Sequence, residues 1–166
     1  MLSKELLMEL EQYVQTYQQI DFELVTSAEL ELYSDSPLQE ELQQIELEAF
    51  IEARRKPTFS QVLFRYIDQT AARDADIYKK AGIDRKLFSK IRSIPNYQPR
   101  KNTVLSLAFA LKLDYDDVVE LLGAAGYSFS DSDTQDLVLQ FCIEKKIFDL
   151  DYINQALEYF SLKPLR

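Results

Sequence analysis

Residues 85–93 read Arg-Lys-Leu-Phe-Ser-Lys-Ile-Arg-Ser and carry the densest set of groups able to recognise a ligand. Spacing of i, i+3 and i+4 puts Leu87, Phe88 and Ile91 on one side of a short helix. Arg85, Lys86, Ser89, Lys90 and Arg92 fall on the other. Apolar anchors inward, with cations and hydroxyl donors outward, complement a polyanion, and such a helix suits a DNA major groove. A solvated amphipathic helix on any helical domain shows the same two faces, so the preceding residues matter. Asp74 to Ala81 predicts a helix with acids in its first turn and lysines in its last, both favoured by the macrodipole. Gly82 can take the left-handed conformation that ends it, and Asp84 can accept hydrogen bonds from the open N–H groups of the next helix. Asp74 to Ser93 therefore reads as helix, turn and helix.

Other chemistries lack their residues. The chain has no histidine, which removes the usual general base and the commonest metal ligand. Its single cysteine, Cys142, lies in an apolar helix with Leu137, Val138, Phe141 and Ile143 and is expected to be a buried small hydrophobe. Gly123-Ala124-Ala125-Gly126 lacks the strand, lysine and hydroxyl residue of a phosphate-cradling loop. The acid pairs Asp116-Asp117 and Asp131/Asp133 are better placed as helix caps than as catalytic carboxylates. No enzyme, metal or cofactor is expected. Tyr97, beside Asn96 and near Arg100, could stack on a base, although anchoring a loop is the commoner use of such a ring.

Few breakers interrupt the chain (Gly 3, Pro 5), and hydrophobic residues make up 46%, so an all-α fold with a substantial core is expected. Leu6, Leu10, Tyr13, Val14 and Tyr17 predict a helix over 3–19, with Ser3 as its cap. Residues 20–37 are ambiguous and end in a turn. Leu38, Leu42, Ile45 and Ala49 then form a seam too short to establish a coiled coil. Arg54 to Pro57 ends that segment. Thr58 can cap a helix from Phe59 to Gln69. Beyond the central pair of helices, Pro95 and Pro99 bracket a loop, followed by helices over Arg100 to Leu113 and Tyr115 to Leu122. Asp114 with Asp117 resembles a capping box. Gly123 and Gly126 loosen the chain. Ser130 or Asp131 can cap a helix through Lys145 with Leu137, Val138 and Phe141 inward. Asp149 can cap the last helix, Leu150 to Phe160, with Ile153, Leu157 and Phe160 inward.

The run Tyr78-Lys79-Lys80-Ala81-Gly82-Ile83 through Lys90-Ile91-Arg92-Ser93, with Pro99, Thr103 to Leu105, Ala108, Ala110-Leu111 and Asp117 to Leu122, resembles the lambda-repressor-like (Cro/cI, xenobiotic-response-element or XRE type) helix-turn-helix domain. More narrowly it resembles a group of small bacterial helix-turn-helix proteins whose domain is sometimes fused to macro domains. The resemblance runs from about Phe59 to Phe160. It implies a five-helix lambda-repressor-like core, here with extra C-terminal helices and an N-terminal helical extension. It also implies a homodimer on palindromic double-stranded DNA. By position, Arg85 and Lys86 would face base edges, Ser89 and Lys90 bases or flanking phosphates, and Arg92, Arg100 and Lys101 phosphates. Two residues depart from the family. Tyr78 stands where a small residue usually packs between the two helices. Asp74 stands where a glutamine often meets the DNA backbone, and a carboxylate there would repel phosphate.

The net charge of −9 is unevenly spread: residues 1–56 hold 4 basic and 13 acidic residues, and 57–166 hold 15 of each. Within 65–101 there are 10 basic and 4 acidic residues, so the proposed recognition helix sits in a positive field. The division expected is an acidic helical extension over 1–56 and a helix-turn-helix domain over 57–166. Two amphipathic N-terminal helices cannot bury both stripes alone. They dock on the domain, where they could mask its basic face, or on a second copy. Two functions remain open. One is a sequence-specific transcriptional regulator; the other is a protein-interaction module (an antitoxin, anti-defence or regulatory subunit) using the acidic N-terminal third to hold a partner. No apolar run reaches membrane-span length, and Met1-Leu2-Ser3-Lys4-Glu5 lacks a signal-peptide layout, so a soluble cytoplasmic protein is expected.

Overall fold

Side-chain caps and left-handed terminators set most of the helix limits. The computed structural model describes residues 37–165. The helix expected over 3–19, its Ser3 cap, the stretch 20–36 and the side chain of Leu38 lie outside them. The described residues are all-helical: α1 Pro37–Arg54, α2 Phe59–Gln69, α3 Asp74–Lys80, α4 Arg85–Ser93, α5 Lys101–Ala110, α6 Tyr115–Ala124, α7 Thr134–Glu144 and α8 Leu150–Tyr159. None of these is long and apolar enough to cross a membrane. The chain divides into two units, Met1–Arg55 and Lys56–Arg166.

In the first unit, α1 leaves Leu42, Ile45, Leu47, Phe50 and Ile51 exposed at 42–60%. The Arg54 guanidinium lies 4.5 Å from the centroid of the Phe50 ring. In the second unit the core is built around α5, in which every residue from Val104 to Phe109 is buried. This helix packs on α3 and α6; α6 also meets α2 and α7, α7 meets α8, and α3 meets α4. A stretch enclosed in this way needs no polar face, which is why Val104 to Ala110 is apolar apart from Ser106.

Thr58 caps α2 in a capping box with Gln61. Asp84 caps α4, Asp114 caps α6 and Asp149 caps α8. Five of the described helices end in the Schellman pattern, in which the residue after the cap turns left-handed and the N–H of the next residue reaches back five positions. The turning residues are Gly82, Lys112, Gly126, Lys146 and Ser161. At α3 the bonds are Gly82 N–H to the Lys79 carbonyl (3.1 Å) and Ile83 N–H to the Tyr78 carbonyl (2.9 Å).

Several sequence expectations need correction. The Asp114–Asp117 box is only half formed: Asp117 N–H donates to Asp114, but the Asp117 carboxylate accepts from the Tyr66 hydroxyl instead. The cap of α7 is Asp133, not Ser130 or Asp131: the helix begins at Thr134, and the Asp133 carboxylate accepts the Gln135 N–H at 3.0 Å. The buried side of α7 is Asp136, Leu139, Cys142 and Ile143, while Leu137 and Phe141 are exposed. Burial of Asp136 sets that rotation. Phe160 is exposed rather than inward, since α8 stops at Tyr159 and the chain turns at Ser161. Helix α5 stops at Ala110, where Lys112 turns left-handed, and α6 runs through Gly123 to Ala124.

Candidate functional site

The helix α4 is fixed at both ends and along one side. Asp84 Oδ1 accepts from the Leu87 N–H at 2.6 Å, holding the first turn. Phe88 and Ile91 are buried, and the Ser60 hydroxyl of α2 donates to the Ile91 carbonyl at 2.8 Å. The Phe88 ring meets Phe64 edge-on at 5.9 Å and Tyr78 at 5.5 Å, tilted by 48°. The large residue at 78 is thus accommodated half-buried against Phe88, as one wall of an aromatic cluster between α2, α3 and α4.

The opposite side of α4 is open. Arg85, Lys86, Ser89 and Lys90 are all exposed. No ion pair among the described residues engages Arg85, Lys86 or Lys90. Arg92 is partly exposed but committed. Its guanidinium lies 4.2 Å over the Phe64 ring and pairs with the Asp74 carboxylate on α3. The acid at 74, an unfavourable residue beside phosphate, here ties the two helices of the pair together.

Arg100 and Lys101 are neighbours with different surroundings. Arg100 is exposed at the N-cap position of α5 and makes no side-chain cap hydrogen bond. Lys101 reaches across to α7, its Nζ 2.6 Å from Oδ2 of Asp136, a carboxylate only 3% exposed. The same oxygen accepts the Ser130 N–H at 2.8 Å. The side chain expected to meet phosphate is thus engaged by Asp136. The loop before α5 is also held: Gln98 Nε2 donates to the Ala125 carbonyl (2.6 Å) and the Tyr127 hydroxyl to the Pro99 carbonyl (2.8 Å). Tyr97 packs half-buried on the core, so it anchors this loop.

A second polar cluster lies between α2 and α6. The Tyr66 hydroxyl donates to both Glu120 and Asp117, the latter at 3.0 Å, while Arg65 pairs with Glu120 at 2.6 Å. Burial, followed by the hydrogen bonds to Glu120 and Asp117, pushes the Tyr66 phenol up. The Tyr66 hydroxyl and then the Arg65 guanidinium hold the Glu120 carboxyl below its ordinary range. Cys142 is buried and its thiol is pushed up by that burial.

Sequence reading puts Arg85, Lys86, Ser89, Lys90 and Arg92 on one face and adds Arg100 and Lys101; the structure leaves the first four and Arg100 exposed and engages Arg92 and Lys101 in ion pairs. Sequence reading misses the partners Phe64, Asp74 and Asp136, which lie on other helices at separations that no local periodicity links. No family model, curated protein or solved structure matches the chain.

Proposed function

We propose that residues 57–166 form a lambda-repressor-like DNA-binding domain of the XRE type, and that the protein is a transcriptional regulator reading duplex DNA through α4. The observation that carries this reading is the side of α4 bearing Arg85, Lys86 and Lys90, exposed and without ion pairs among the described residues, on a helix pinned by Phe88 and Ile91. A rigid helix with free cations at its N-terminal end can enter a major groove without first breaking internal contacts. Arg85 offers a planar fork suited to guanine, and Lys86 a less directional contact. Ser89 and Lys90 stand one turn further along. Arg100, with the uncapped first turn of α5, supplies a seat for a flanking phosphate. In this reading Arg92, paired with Asp74, positions α3 against α4, and Lys101, paired with Asp136, ties α5 to α7.

A dimer would set two copies of α4 about 34 Å apart, one DNA turn. The test is selection of bound duplexes from a random pool with the full chain. Enrichment of an inverted repeat is expected. Failure to enrich any sequence at low salt would favour the second reading, an interaction module. That reading draws on the exposed apolar residues of α1 set among Glu40, Glu41, Glu46, Glu48 and Glu52.

A further inference from the structure

A groove of about 530 Å³ opens where the C-terminal ends of α3, α5 and α7 meet the start of α8. Lys79 and Lys80 enter it from α3, Lys112 follows α5, and Lys146 follows α7. All four are exposed, and no ion pair among the described residues engages any of them. Phe148 forms a half-buried wall. Asp149 and Asp151 complete the rim, so four lysines against two aspartates leave the lining net positive. Asp149 already accepts N–H groups at the start of α8.

Helix dipoles explain one lysine near one helix end. They do not explain why three separate ends deliver theirs to one cavity. Two carbonyls at each of the three ends are satisfied by backbone rather than by ammonium. The Tyr78, Lys79, Ala108, Phe109, Cys142 and Ile143 carbonyls already accept the backbone bonds of the three Schellman turns. Lys112 and Lys146 themselves occupy left-handed positions, with φ of 55° and 56°, where glycine is the residue of least strain. At both positions a lysine that lines the groove stands where glycine would carry the least strain.

We propose that this groove binds a small polyphosphate-bearing ligand, a nucleotide or an inorganic polyphosphate, through Lys79, Lys80, Lys112 and Lys146. The volume suits a ligand of that size, since small-molecule sites span roughly 300–1,000 Å³. Four ammoniums converging from three helix ends match the dense charge of a phosphate chain. The Phe148 wall offers an apolar face on which a base can lie. The site is separate from α4 and stands whether or not that helix reads DNA.

The experiment titrates inorganic triphosphate and ATP into the full chain by calorimetry. The deciding variant is Lys112→Gly with Lys146→Gly, which removes two charges at positions where glycine suits the backbone, so its thermal midpoint is expected to hold or rise. Its affinity should fall roughly tenfold or more. Lys163→Ala, at an exposed lysine outside the groove lining, should leave binding unchanged. Tighter binding of ATP than of triphosphate would place the base against Phe148; equal binding would make the phosphate chain the whole ligand. Absence of binding by both probes, full affinity in the folded double variant, or an equal loss in Lys163→Ala would each overturn the proposal.

Discussion

Lys101 Nζ and Asp136 Oδ2 stand 2.6 Å apart, joining the first turn of α5 to the first turn of α7. The carboxylate is 3% exposed and the lysine side chain 27%, so removing the cation leaves a nearly buried negative charge with one backbone N–H for company. Breaking such a pair from one side is strongly destabilising. Lys101→Met is expected to lower stability by about 2–3 kcal/mol, the residual exposure placing it below the fully buried case. Urea unfolding of the variant checks this; a change within about 0.5 kcal/mol would mean that the pair carries no structural weight.

Arg92 and Arg100 separate two kinds of basic residue. Arg92 is held by Asp74 and lies over Phe64, while Arg100 is exposed with no ion pair among the described residues. Under the DNA-binding reading, Arg100→Ala reduces the slope of log affinity against log salt by about 1 and weakens all sequences alike. Arg92→Ala leaves that slope unchanged and costs about 1 kcal/mol of stability, the scale of a partly exposed ion pair with a ring contact. Equal slopes in the two variants would remove the distinction.

Periodicity and capping residues showed only what is local, and not all of that. The two faces of α4, the cap at Asp84 and the turn at Gly82 follow from residues within a few positions of one another, and all are found in the structure. The rotation of α7 was not legible. Leu137, Val138 and Phe141 make as plausible an apolar stripe as Leu139, Cys142 and Ile143. The choice is made by Asp136 turning inward to meet Lys101, a residue 35 positions away. A helix of mixed apolarity turns by about 100° per residue, so one buried ion pair is enough to select among its faces. The candidate site was legible to the same extent. Its exposed cations can be read from spacing, but the capture of Arg92 and Lys101 by distant carboxylates cannot.

The Tyr66 cluster is expected to shape stability at both ends of the pH range. The folded-state value of Glu120 is depressed, so its contribution is present above the ordinary carboxylate range and is lost as pH falls below about 4. The folded-state value of Tyr66 is raised, so its contribution is present below the ordinary phenol value and is lost as pH rises beyond about 10. The raised Cys142 thiol acts in the same alkaline direction but begins near pH 8.5. Glu120→Gln should flatten the acid limb of the urea midpoint, and Tyr66→Phe the limb above about pH 10. Unchanged limbs in both variants would assign the pH dependence to other groups.

Left-handed positions occupied by three different residue types give the last expectation. Gly82 adopts φ 67° at the end of α3, in the turn that aims α4, whereas Lys112 holds φ 55° at the end of α5. An L-residue in this region carries about 1–2 kcal/mol of strain, and glycine gives back about 0.5–1 kcal/mol through the entropy of the unfolded chain. Gly82→Ala should therefore destabilise by about 1 kcal/mol, and Lys112→Gly should stabilise by about 0.5–1 kcal/mol. Gly126→Ala adds a steric component, because its new Cβ would stand 3.2 Å from Gln98 Nε2, the group that ties the Pro95–Pro99 loop to α6. Thermal unfolding of the three variants should rank Lys112→Gly above the native chain and Gly126→Ala lowest. The reverse order for Lys112 would show that its ammonium makes a stabilising contact outweighing the backbone strain.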